Sequence, residues 1–120
     1  MSHPVHTLVA LVQNGQILEA FEQFYHDDVS MQENGGVPTV GKDANRAREE
    51  QFVGFVTEVH ENKAASVVVD GDQTVIHWNL EFTAADGKRY RYDQLAHQKW
   101  QDGRIVSERF FYNPQEGLVA

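Results

Sequence analysis

Two carboxylates stand out for the company they keep. Glu33 closes the alternating stretch Val29–Glu33, just before the turn-forming Asn34-Gly35-Gly36, and Glu108 lies in the aromatic-rich run IVSERFFY beside Phe110, Phe111 and Tyr112. A carboxyl group held against aromatic carbon is poorly solvated when charged, so its pKa rises toward the range where it gives or takes a proton near neutrality. Trp78, Tyr90, Tyr92, Gln94, Gln98, Phe110 and Tyr112 add flat apolar faces, phenols and amides that can stack on a ligand and orient it. This set suits acid-base chemistry on a small, largely apolar molecule, with Glu33 as the polar floor of its pocket. Plainer readings stand beside it. Glu33 can be a rim carboxylate bonded to nearby turn amides, a bulge can carry Glu108 to water, and the aromatic residues can be ordinary core with polar tips at the rim.

Other chemistries lack their residues. Cysteine is absent, which removes thiolate nucleophiles, thiolate metal sites and disulfides and leads to the expectation of a reducing, cytoplasmic setting. His26, His60, His77 and His97 match no metal-ligand spacing, and neither a phosphate-binding glycine loop, a dinucleotide fingerprint nor a nucleophile elbow occurs. No metal or cofactor is therefore expected. A formal net charge of −8 without Lys/Arg clusters argues against nucleic acid as a partner. No apolar run is long enough to cross a bilayer.

The elements that must hold these groups read as helices first and strands after, over one domain of 120 residues. Pro4 opens a helix to about Gln13, Asn14-Gly15 ends it, and a second helix spans Gln16 to about His26. After the Val29–Glu33 strand and the Gly/Pro turn, a third helix is expected from Lys42 to about His60, with Ala44, Ala47, Phe52, Phe55, Val56 and Val59 inward and Arg46/Glu50 as a solvent-side pair. Strands follow over Ala64–Asp70, Gln73–Ala84, Lys88–Trp100 and Arg104–Tyr112, joined at Gly71-Asp72, Asp86-Gly87 and Asp102-Gly103. This is an α+β plan with an antiparallel meander.

Register decides what the strands face. Taking Ala85-Asp86-Gly87 as a three-residue loop sets Trp78 opposite Gln94, Leu80 opposite Tyr92, Phe82 opposite Tyr90 and Glu81 opposite Arg91, pairings of aromatic with apolar and of opposite charge. The same rule at Gln101-Asp102-Gly103 places Glu108 opposite Ala96, Phe110 opposite Gln94 and Tyr112 opposite Tyr92. Trp78, Tyr90, Tyr92, Gln94, Gln98, Glu108, Phe110 and Tyr112 then share one inward face. Leu95, Ile105 and Phe111 fall on the outer face among charges, a set that points to a covered surface.

The local carriers FYHDDVSMQENGG, VGKDANR, the late W-x-D-G-R-I of Trp100 to Ile105 and the closing FFYN resemble the nuclear transport factor 2-like superfamily, within it the SnoaL-like and ketosteroid isomerase branch. The resemblance covers nearly the whole chain. It implies a cone-shaped half-barrel with helices packed on a curved antiparallel sheet, a homodimer, and a pocket for a small apolar or aromatic molecule. Carried onto this chain, the isomerase's general base matches Glu33. Its oxyanion-hole tyrosine falls near Thr7 or Leu8, and its protonated aspartic acid falls on Ala96, so both donors are missing. Because a small alanine leaves room, Glu108 is expected to supply the displaced acid, forming a two-carboxylate pair with Glu33. A cofactor-free isomerisation, cyclisation, dehydration or hydrolysis, and a non-catalytic ligand-binding or dimerisation module, are the two readings left open.

Overall fold

The computed structural model describes residues 3–113 together with the backbone of residues 118 and 119. Helix α1, Val5–Gln13, and helix α2, Ile17–Phe24, form a hairpin. At the end of α1, Gln16 N–H reaches Leu11 O at 2.9 Å and Gly15 N–H reaches Val12 O at 3.0 Å, a paired closure made possible by Gly15 at φ +81°. The inward stripe Val5, Leu8, Ala20, Phe21 and Phe24 is buried against the sheet.

Strand β1 runs Tyr25–Glu33, followed by the short β2, Thr39–Val40, and helix α3, Lys42–Phe55. Both helix boundaries fall earlier than expected. Helix α2 stops at Phe24 because Tyr25 already pairs with Ile105, and β1 then bulges before resuming at Ser30. Helix α3 stops at Phe55, not His60, because Val56 begins a 15-residue strand, β3 (Val56–Asp70), that pairs with β4 (Gln73–Ala84). Gly54 weakens the helix there, and the β-branched Val56, Thr57 and Val59 suit the strand. The inward face of α3 also differs from the expected stripe: Ala44 and Ala47 are exposed, and Asn45 is buried. Arg46 does not pair with Glu50. It bonds Glu22 and Asp43, tying α3 to α2.

Strands β5 (Arg89–Gln101) and β6 (Arg104–Phe111) complete the main sheet, ordered β2-β1-β6-β5-β4-β3, with the short β7 (Leu118–Val119) pairing β5. The meander from β3 to β6 is antiparallel, while β1 joins β6 in parallel, so the sheet is mixed. Bulges in the β3–β4 ladder bend it into an open half-barrel with the helices over its concave face. No helix among the described residues is long and apolar enough to cross a membrane.

The two hairpins of β5 tested the register differently. At β4–β5 the expected pairs form, Trp78 with Gln94, Leu80 with Tyr92, Phe82 with Tyr90 and Glu81 with Arg91. At β5–β6, Asp102 and Gly103 both take positive φ, at 52° and 78°, making a two-residue turn with Gln101 opposite Arg104. A bulge beyond Trp100 then adds a residue on β6, so Glu108 pairs with Gln98 and Phe110 with Ala96. The register is displaced by two residues from the expectation. An even displacement keeps each side chain beyond the bulge on its face, and Glu108 stays inward. Ile105 lies on the turn side of that bulge and is fully buried, correcting its expected place on the outer face; Leu95 and Phe111 remain exposed.

Candidate active site

The concave face and the helices enclose a cavity of about 730 Å3. Trp78, Leu80, Phe82, Tyr92 and Phe110 from the sheet, Tyr112 just past the end of β6 and Phe52 from α3 give it aromatic and apolar walls. Of the expected ligand-binding residues, Trp78, Tyr92, Gln94, Gln98, Phe110 and Tyr112 line it. Tyr90 does not. Its ring stacks on Phe82 at 5.5 Å and its hydroxyl donates to Asp86 at 2.6 Å, beside the turn, because Tyr90 lies only three residues past Asp86-Gly87, at the end of the barrel. Gln94 faces the cavity with no hydrogen-bond partner for its amide among the described residues.

The deep end is a directed chain of hydrogen bonds. Trp100 Nε1–H donates to Thr74 Oγ1 at 2.8 Å, Thr74 Oγ1–H donates to Gln98 Oε1 at 2.8 Å, and Gln98 Nε2–H donates to Glu108 Oε2 at 2.7 Å. Tyr25 Oη–H donates to Glu108 Oε1 at 2.6 Å. Glu108 is only 2 % exposed. Burial pushes its pKa up to about 7, against the lowering effect of the two donors. Glu108 thus lies inward, as expected, but opposite Gln98; Ala96 faces Phe110 instead, so the room left by that alanine has no part in placing it.

A second carboxyl, Glu49, comes from α3 and has no hydrogen bond or ion pair among the described residues. Burial raises its pKa to about 7, and repulsion from Glu108 adds to the rise while Arg48 opposes it. Asn45 explains its aim. The Asn45 amide reaches the carbonyls of Val29, Thr39 and Gly41 at 3.2, 3.0 and 2.8 Å, clamping the start of α3 to β1 and β2. One turn on, Glu49 then projects over the same face toward the cavity. The sequence reading missed Glu49, Asn45 and Tyr25. The spacing Asn45, Glu49, Phe52 was visible as one helical face, but the expected inward stripe was drawn from apolar residues alone.

Glu33 lines the cavity at its mouth, not its floor. Its side chain is 52 % exposed and accepts from Arg48 Nη2 at 3.1 Å, while Arg48 Nη1 donates to Thr39 Oγ1 at 3.0 Å. Tyr112 stands beside it, its phenol pKa raised by burial and by the Glu33 charge. Glu33 and Glu108 both line the cavity, but Glu33 is paired with Arg48 at the mouth, and the carboxyl that feels the Glu108 charge is Glu49. The outer-face His77 bonds Asp93 and His97 bonds Gln73. Among the described residues no cluster of His, Asp and Glu is arranged to hold a metal ion.

The fold is shared with solved structures. A protein proposed to be a SnoaL-like polyketide cyclase, from Mesorhizobium loti, is 26% identical, with 91% of this chain and 96% of that chain aligned at a TM-score of 0.81. An LEH-like epoxide hydrolase of M. tuberculosis is 17% identical, covering 94% and 82% of the two chains at 0.75. A ketosteroid isomerase-like fold from Catenulispora acidiphila, solved with trimethylamine, is 14% identical, covering 96% and 90% at 0.78. Those two speak to the fold alone. No curated protein matches the sequence. The SnoaL-like domain model matches residues 5–108, nearly the whole stretch from the first helix to the buried carboxylate of the last long strand, and the chain belongs to that family.

Proposed function

We propose that this chain performs cofactor-free proton transfer on a small, largely apolar molecule, in an isomerisation, cyclisation, dehydration or hydrolysis. The observation that carries this reading is the pair Glu49 and Glu108, a half-buried and a buried carboxyl lining one aromatic-walled cavity, Glu49 without a hydrogen bond or ion pair among the described residues. Neighbouring carboxyls in low dielectric do not ionise independently, so near neutrality the pair holds one proton between them. The ionised member serves as base and the protonated one as acid. Glu49, with no donor to its oxygens among the described residues, is the member free to exchange a proton with the substrate. Glu33, the base position by resemblance, works at the mouth with Arg48, orienting a polar end of the substrate. The test is a turnover screen of small epoxides, enones and cyclisable ketones with wild type and Glu49→Gln. We expect Glu49→Gln to abolish whatever turnover wild type supports.

A binding module without chemistry is the second reading. It is favoured by Glu108, whose two oxygens already accept from Tyr25 and Gln98, and by Glu33, already paired with Arg48. A compound bound equally by wild type, Glu49→Gln and Glu108→Gln, and turned over by none, establishes it. We also propose a homodimer through the outer sheet face, where Leu95 and Phe111 are 43% and 39% exposed. Sedimentation at micromolar concentration checks it, and a monomer there ends the proposal.

A further inference from the structure

The chain of hydrogen bonds behind Glu108 has a fixed direction, and the direction comes from its far end. An indole N–H donates and never accepts. Thr74 Oγ1, receiving the Trp100 proton, passes its own to Gln98 Oε1, and that sets the Gln98 amide with Nε2 toward Glu108. Flipping the amide would strand the Thr74 proton in a buried site and bring Gln98 Oε1 against Glu108 Oε2. Trp100, Thr74 and Gln98 are each at least nine-tenths buried, so either conflict is costly.

This direction decides where Glu108 can carry a proton. In a carboxylic acid the carbonyl oxygen is the better acceptor, so the Gln98 N–H selects Oε2 as that oxygen. The acid proton is left on Oε1, which is 2.6 Å from Tyr25 Oη. With Glu108 ionised, the Tyr25 proton is spent on the carboxylate. With Glu108 protonated, Oε1–H donates to Tyr25 Oη, and the phenol must turn its own proton elsewhere. Tyr25 lines the cavity, and its ring is held by stacking on Phe21 at 4.8 Å. The free direction for that proton is the cavity.

We propose that Tyr25 is the group that meets an acceptor oxygen of the ligand, of the carbonyl type, and that Trp100, Thr74 and Gln98 are positioning residues that confine the Glu108 proton to Oε1. The proposal rests on the cavity being the ligand site. It makes recognition of an oxygen depend on the protonation of Glu108, through a residue that is not itself titrating. The titratable groups facing Glu108 are Tyr25, from the junction of α2 and β1, and Glu49, from α3, which in turn feels Arg48 and Glu33. Burial holds the Tyr25 phenol pKa well above its ordinary value, so the switch belongs to the carboxyl pair.

Two naphthalenes of nearly equal shape serve as probes, 2-acetylnaphthalene with an acceptor oxygen and 2-ethylnaphthalene without one. Their Kd values are measured at about pH 5.5 and about pH 8.5, either side of the Glu108 value of about 7. Wild type is expected to prefer the ketone by roughly tenfold at the lower pH and to lose most of that preference at the higher one. Tyr25→Phe, which keeps the stack on Phe21, is expected to erase the preference for the ketone over the ethyl compound at both pH values. A ketone preference that survives Tyr25→Phe, or that ignores pH, overturns the proposal and leaves the cavity reading intact. If neither probe binds wild type, the cavity reading falls and the proposal with it. The positioning role is read without ligand, by carbon-13 titration of the Glu108 carboxyl. Thr74→Val frees the Gln98 amide to turn, so the Glu108 pKa should rise, and Thr74→Ser should restore it. A Glu108 pKa unmoved by Thr74→Val overturns the assignment of Thr74 and Trp100.

Discussion

The two ends of the cavity use the same functional group in opposite ways. At the mouth, Glu33 is half exposed and bound by an arginine that water also reaches. At the deep end, Glu108 is buried, receives two protein donors and, among the described residues, no cation, and stands near a second carboxyl. Screening by solvent makes the mouth pair a weak contributor to stability and a replaceable contact. Exclusion of solvent makes the deep end costly to ionise, and hence responsive to pH. A carboxylate's chemical usefulness here follows from what surrounds it more than from its place on a strand.

The sharpest way to break the contrast is Gln98→Leu. It removes the N–H from Glu108 Oε2 and leaves the Thr74 hydroxyl without its acceptor. A loss of about 2–3 kcal/mol in unfolding free energy is expected at alkaline pH, because hydrogen bonds to a buried charge are the strong ones. In mild acid, where Glu108 is protonated, the loss should be smaller. Denaturant unfolding at both pH values measures it, and equal losses would mean that Glu108 carries no charge in either.

The next effect is the pH dependence of stability itself. The Glu108 pKa of about 7 lies above the unfolded value of about 4.3, so between them the folded state binds the proton more tightly than the unfolded chain. Stability from this group is full below about pH 4.3, falls as pH rises toward 7, and is level above. Glu49, raised for the same reason, adds a fall of the same sign. Glu108→Gln should flatten the curve and raise Tm at neutral pH. The new amide can fit, its oxygen accepting from Gln98 and its NH2 donating to the Tyr25 hydroxyl turned around. Parallel melting curves for wild type and Glu108→Gln from acid to neutral pH would place Glu108 in solvent.

A smaller effect should separate the two carboxyls of the pair. With Glu108→Gln the repulsion on Glu49 is removed, and the Glu49 titration should move to lower pH, read by its carboxyl carbon-13 resonance. The smallest is at the mouth. Glu33→Gln should change stability by under about 1 kcal/mol, with the difference shrinking in high salt. A larger, salt-independent loss would show that the mouth is as closed as the deep end.

Much of this was legible in the sequence because it depends on local periodicity. Asp86-Gly87 and Asp102-Gly103 announce their hairpins, and the alternation of β4, β5 and β6 sorts Trp78, Tyr92, Gln98 and Glu108 to one face whatever the exact register. That is why a register displaced by two residues still left Glu108 inside, while Ile105, on the turn side of the bulge, was sorted to the wrong face. Tertiary structure decided the rest. Helix α3 is polar nearly all round, and only the grip of Asn45 on β1 and β2 shows that Glu49 points inward. The end of α3 at Phe55 is likewise dictated by pairing of Val56 with Ala84 across the sheet. Whether Glu33 or Glu49 is the carboxyl that keeps company with Glu108 turned on Arg48, fifteen residues from Glu33 in sequence and 3.1 Å from it in space. Periodicity along the chain sets which face a side chain takes; the charges and donors that meet it there arrive from other elements, and no local pattern encodes them.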